Sequence, residues 1–160
     1  MVRAILPGMP DTVVCCTDGS DLSIRALAAG LAVVRPGDGD RVIVATVVEP
    51  VDPSLVTGSG MAGGVMTPES LDQMADAQRA EGQQHVDDTV AGLGLTGAET
   101  QVLLGAAGPA LCDLATSVSA HALVIGSRGR GGIKRALLGS VSDHVVRHAP
   151  CPVVITTPDD

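Results

Sequence analysis

The residues best placed to do chemistry lie in one short stretch, GSRGRGGIKRALLGS, residues 126–140. It holds five glycines and four of the ten basic side chains, Arg128, Arg130, Lys134 and Arg135, in a chain of formal net charge −8. From 126 to 148, five basic residues face Asp143 alone, a local balance of +4 that leaves −12 for the rest of the chain. Glycines let backbone N–H groups approach an anion closely, and a helix N-terminus adds oriented donors and a positive dipole end. Gly139-Ser140 stands just before a helical pattern, and Ser140 with Asp143 fits a capping box in which Asp replaces the usual Glu. The chemistry implied is phosphate binding.

The common phosphate motifs do not fit. Gly126 and Gly131 have Walker A spacing, but Gly132 and Ile133 stand where Lys and Ser/Thr are required. Gly129-Arg-Gly131 begins a dinucleotide fingerprint, yet Lys134 takes the third glycine's place. Arg128-Gly-Arg-Gly-Gly132 is a weak match to RNA-binding RGG tracts, and Gly126-Ser-Arg-Gly129 to a KH-domain loop. Phe, Trp and Tyr are absent altogether, so the usual aromatic platforms for stacking on a base are missing. With the acidic balance, this argues against nucleic-acid and anionic-membrane partners.

The elements that must position the stretch follow from hydrophobic patterning. Thr12–Cys16 and Arg41–Val48 are apolar, β-branched runs without alternation, as in strands buried on both faces. Further strands are expected at 100–104, 122–125 and 152–156. Between them the sequence predicts helices from Leu22 to Val34, with Ile24, Leu27, Ala28 and Leu31 on one face, and from Pro68 to about Gly92, with Leu71, Met74, Val86 and Val90 as sparse contacts. Two more helices are predicted from Pro109 to about Ser119 and from Ser140 to His148. Residues 49–67, rich in Gly, Pro, Ser and Met, are expected to form a mobile loop. Strands alternating with helices at this spacing imply a doubly wound α/β fold, a parallel sheet with helices on both faces. All 160 residues suit a single domain with one core of its own. The chain shows no signal-peptide pattern and no apolar run of membrane-spanning length, so a cytoplasmic location is expected.

In such a sheet ligands bind beyond the carboxyl ends of the strands, where strand order reverses. Two loops there have suitable chemistry: the stretch after the fourth strand, and Thr17-Asp18-Gly19-Ser20 after the first. If those strands are neighbours, both loops border one crevice. Asp18 serves equally well as a cap for the first helix. Gly129 and Gly139 could serve only turns and close packing.

Gly126-x2-Gly129-x9-Gly139-Ser140 resembles the ATP-binding signature of the universal stress protein family. The resemblance extends to Thr17-Asp18-Gly19-Ser20 and to Ala149-Pro-Cys-Pro-Val-Val-Ile155, in the family's order and over nearly the whole chain. It implies a five-stranded sheet of order 3-2-1-4-5, an adenine-nucleotide site, and a homodimer formed through the last strand. By the same resemblance, Gly126, Gly129, Gly139, Ser140 and Val141 would surround ribose and phosphates, with Arg128 and Arg130 between the glycines. Thr17 and Asp18 would border the adenosine end, and the backbone of Val47 would meet adenine. The ligand would be ATP, accompanied by Mg²⁺ where a divalent ion is bound.

Three function classes follow. The resemblance favours a nucleotide-binding regulatory protein of the stress response. A dedicated phosphate-transferring enzyme would need a positioned base or arginine finger, which the sequence does not offer, so hydrolysis is expected to be slow. A ligand-free, partner-binding protein of the same fold is the remaining alternative. Cys15, Cys16, Cys112 and Cys151 show no CxxC spacing and are expected to be reduced, buried thiols. His144 and His148, at i, i+4, are expected in an exposed or interface role, not as metal ligands.

Overall fold

The computed structural model describes residues 10–50, 67–127 and 138–157. Arg128, Gly129, Arg130 and residues 51–66 of the expected loop lie outside them. The order is β1 (Thr12–Cys16), α1 (Asp21–Val34), β2 (Arg41–Val48), α2 (Pro68–Leu93), β3 (Glu99–Leu104), α3 (Ala107–Ser117), β4 (Ala122–Gly126), α4 (Ser140–His148) and β5 (Val153–Thr156). The strands form one sheet of order β3-β2-β1-β4-β5, and every pairing is parallel.

Strand alternation sorts the core into two layers. Val14 and Cys16 of β1 pack with Ile43, Leu123 and Ile125 against Leu111, Leu114 and Ala115 of α3 and Val145 of α4. Val13 and Cys15 face the other way and pack with Val44, Val124, Leu27 of α1 and Val86 of α2. All five residues of β1 are buried, which accounts for its unalternating run. Truncating a filled site such as Leu123 to Ala would cost about 2–5 kcal/mol.

The helices differ from expectation in detail. The buried face of α1 is Ser23, Ala26, Leu27 and Gly30, and Ala28 is exposed. Ser20 caps that helix by accepting from the Ser23 amide. In α2 the buried face is Gly82, Val86 and Thr89, while Met74 is 41% exposed. That stripe mixes glycine and threonine with one valine, so no apolar periodicity announced it. Helix α3 begins at Ala107, two residues before Pro109. Proline is tolerated in a first turn because amides there lack intrahelical acceptors.

Candidate functional site

Strands β1 and β4 are neighbours, so strand order reverses between them, and the Thr17–Ser20 turn and Ser127 follow the ends of adjacent strands; residues 128–137 of the second loop lie outside the described residues. The register shows which backbone groups face it. The Thr17 amide donates to the Ala45 carbonyl at 2.9 Å, and β1–β2 pairing ends at Cys16↔Ala45. Val47 lies two residues further along β2, so its N–H and C=O point to the same side, over the end of β1. On the other flank, the amides of Leu123 and Ser127 donate to Pro152 and Thr156 on the β5 side. Gly126, of opposite parity, therefore turns its backbone towards β1.

The β1–α1 turn between these flanks is held by side chains. Thr89 of α2 donates its hydroxyl proton to the His85 carbonyl at 2.7 Å. The 2.9 Å contact between Thr17 and Thr89 must then be donated by Thr17, and the 2.7 Å contact between Ser23 and Thr17 by Ser23. The Gly19 amide also donates to Thr17 Oγ1, at 3.0 Å. One proton ordering satisfies the whole set. Thr17, Ser23 and Thr89 are 8%, 4% and 0% exposed, and the Thr17 hydroxyl is committed to its partners within the turn and α2. Asp18 Oδ1 accepts from the Ser20 amide at 3.0 Å and the Ser20 hydroxyl at 2.6 Å. Ser20, not Asp18, is the helix cap; the aspartate orients it.

The start of α4 is built differently. Its N-cap is Gly139, with no side-chain cap hydrogen bond. The expected capping box is therefore not formed: Ser140 is already the first helical residue, and Asp143 pairs with Arg147 through two 3.0 Å hydrogen bonds. The first intrahelical amide bond is Asp143 N to Gly139 O, which leaves the amides of Ser140, Val141 and Ser142 at the helix's positive end. The Gly139 amide donates to the Ser127 carbonyl at 2.7 Å, and the buried Ser142 hydroxyl contacts the Ser127 and Gly139 carbonyls at 2.9 and 3.0 Å. These bonds seat the helix N-terminus against the end of β4. The bonds to Ser127 hold Gly139, Ser140 and Val141 beside Gly126 at the end of β4, and the Asp18 turn and Val47 lie at the same end of the neighbouring strands; Arg128, Gly129 and Arg130 lie outside the described residues.

The remaining chemical groups lie elsewhere. All four cysteines are free thiols, three of them buried and Cys151 half-buried. Burial pushes the Cys15 thiol up to about 12; burial and neighbouring thiols raise Cys16 as well. Protonated, buried thiols are poor nucleophiles. The His144 and His148 rings stack with centroids 4.2 Å apart, and His148 Nδ1 lies 2.8 Å from the His144 carbonyl. Among the described residues no cluster of three or more His, Cys, Asp or Glu could hold a metal ion, and no helix is long and apolar enough to cross a membrane.

No local sequence signal marks three contributors: Ser23, Thr89 and His85. Thr89 is 72 residues from Thr17, and nothing local marks either hydroxyl as inward. His85 packs on Gly19, where a Cβ would stand 2.5 Å from the imidazole Cγ.

A parallel sheet of order 3-2-1-4-5 with loops converging at its switch point defines a doubly wound α/β protein of the kind that holds ligands beyond its strand ends. Within that class the universal stress protein family model matches residues 9–157, and the chain belongs to that family. Universal stress protein YxiE of Bacillus subtilis is 30% identical over 141 residues, covering 86% of this chain and 93% of its own. The structure of universal stress protein UspA from Lactobacillus plantarum shares the fold, with a TM-score of 0.69 at 20% identity over 92% of this chain and 98% of that one. A universal stress protein crystallised in complex with cAMP is 32% identical, with a TM-score of 0.59 over 93% of this chain and 98% of that one.

Proposed function

We propose that this chain is an ATP-binding regulatory protein of the stress response, acting in the cytoplasm, and not a dedicated enzyme. The observation that carries the reading is the reversal of strand order between β1 and β4, which sets the Val47 backbone, the Asp18 turn and the amide-rich start of α4 at one end of the sheet. Adenine would meet the Val47 N–H and C=O, lying against aliphatic side chains since the chain has no Phe, Trp or Tyr. The ribose would lie by Asp18. The phosphates would take the amides of Ser140 and Val141, with Gly126 and Gly139 allowing close approach; Arg128, Gly129 and Arg130 would contribute to phosphate binding only as the family resemblance implies. Family membership and the cAMP-bound relative support adenine nucleotide as the ligand class. Mg²⁺ would be held by the phosphates and water, as the described residues offer no ligand cluster for it. No candidate base accompanies Ser140, so hydrolysis is expected at about one turnover per minute or less, far below ordinary kcat values.

The test is mass spectrometry of small molecules released from denatured protein, with absorbance at 260 nm as a companion because Trp and Tyr contribute nothing. Retained adenine nucleotide, or a rise in melting temperature when ATP is added, is the expected result. A protein that neither carries ATP nor responds to it would favour the ligand-free, partner-binding alternative.

A homodimer through β5 belongs to the same reading, since β5 is an edge strand and open edges invite pairing. The Pro152 and Thr156 carbonyls accept from β4, so Val154 also faces inward, and the outward amides are those of Val153 and Ile155. Ile155→Pro should therefore shift the dimer to monomer in light scattering, whereas Val154→Pro would damage the sheet itself.

A further inference from the structure

Helix α2 reaches the β1–α1 turn at two points, and neither belongs to the nucleotide signature. One is the Thr89 hydroxyl, fully buried and accepting from Thr17 at 2.9 Å. The other is the His85 ring, seated on Gly19, whose φ of +76° only glycine adopts without strain. Thr17 in turn accepts from the Gly19 amide, and Asp18 holds Ser20. The conformation of residues 17–20 is thus fixed from outside the turn, by a helix whose first half is mostly exposed.

We propose that Thr89 and His85 are positioning residues for the adenosine end of the nucleotide site, so that occupancy of the crevice and the seating of α2 are linked. The inference rests on the nucleotide reading for its ligand and on the hydroxyl chain for its route. The mechanism is the proton ordering. Thr17 gives its only proton to Thr89, and both lone pairs of Thr17 are then taken, by Gly19 N–H and Ser23 O–H. Replacing the Thr89 hydroxyl with a methyl group leaves the Thr17 proton without an acceptor in a buried site. Thr17 must then rotate away and release Gly19. Linkage is reciprocal: if α2 orders the turn for ligand, ligand bound at the turn holds α2.

The experiment compares the parent with Thr89→Val, Thr89→Ser and His85→Ala, using ATP titration by calorimetry and amide hydrogen exchange with and without ATP. ATP should slow exchange across residues 82–90 of α2 in the parent. Thr89→Val should weaken ATP binding about tenfold, within the usual range of coupling between sites, and abolish that slowing. Thr89→Ser, which keeps the acceptor, should restore both. His85→Ala removes the seat on Gly19 without touching the hydroxyls and should weaken ATP binding about fivefold; it decides the matter if Thr89→Val does not fold. Folded variants with parental ATP affinity and parental exchange in α2 would overturn the proposal. If the parent itself binds no ATP, the nucleotide reading fails separately. Exchange at residues 18–23 in the ligand-free variants then tests the route alone: parental rates there would remove it too.

Discussion

The two sides of the crevice are built on opposite plans. The β1–α1 turn is fixed by buried side chains of the turn and of two helices: Thr17, Ser23 and Thr89 satisfy one another, and Asp18 binds Ser20. The start of α4 has no side-chain cap and is seated by the Gly139 amide and the Ser142 hydroxyl on carbonyls, with its own amides turned outward. A base or ribose is a shaped, neutral object that benefits from a preorganised partner. A phosphate is a diffuse charge that a helix end can meet by backbone alone. One side is organised before ligand arrives, and the other keeps its donors for the ligand.

That contrast is open to attack from either side. Gly19→Val should have the largest effect, because it forces a β-branched residue into φ +76° and drives its side chain into the His85 ring. Backbone strain and overpacking together should cost about 3 kcal/mol or more, read as a fall in the urea midpoint without any ligand. Gly129→Glu attacks the other side. It should leave the ligand-free protein near parental stability while weakening ATP affinity on the order of 100-fold, since a like charge set against phosphate costs several kcal/mol. A Gly129→Glu protein that folds and binds ATP normally would remove the glycine stretch from the site.

Smaller changes sharpen the comparison. Ser142→Ala removes the hydroxyl that reaches the Ser127 and Gly139 carbonyls. It should lower stability by about 1 kcal/mol, the usual net worth of such a bond, with a loss of ATP affinity as α4 loosens. The smallest effect belongs to Arg41–Glu99, an exposed pair far from the crevice at the start of β2 and β3. The Arg41 hydrogen bond, with its charge, holds the Glu99 carboxyl below its ordinary value. Its contribution is therefore full above the unfolded carboxylate's value and is lost as pH falls through the folded one. Glu99→Gln should show a slight deficit in melting temperature at neutral pH that vanishes in acid, and unchanged ATP binding.

These predictions also mark what the sequence could and could not reveal. β1, β2 and α4 were legible to the residue, since unalternating Val/Ile/Cys runs and a glycine stop are local signals. The proposed backbone side of the site rests on the same kind of signal: glycine spacing is a one-dimensional pattern. The side-chain half was not. Thr17 reads as a strand-end threonine with no stated direction, and its partners are six and 72 residues away. The capping box at Ser140 misled because Gly139 took the cap position and Arg147 took Asp143. The exposure of Met74 and Ala28 has a related cause: α1 and α2 meet the sheet through small residues such as Gly30 and Gly82, whose bare Cα atoms lie against Val124 and Val102.

The central claim is that adenine nucleotide occupies the gap over the end of β1. Titrating isotope-labelled protein with ATP and following backbone amide resonances tests it most directly. Saturable shifts should concentrate at Asp18–Ser20, Val47 and Ser140–Ser142, three segments far apart in sequence that only this crevice unites. Shifts absent from all three segments, or confined to the β3–α3 edge around Leu104 and Asp113, would contradict it.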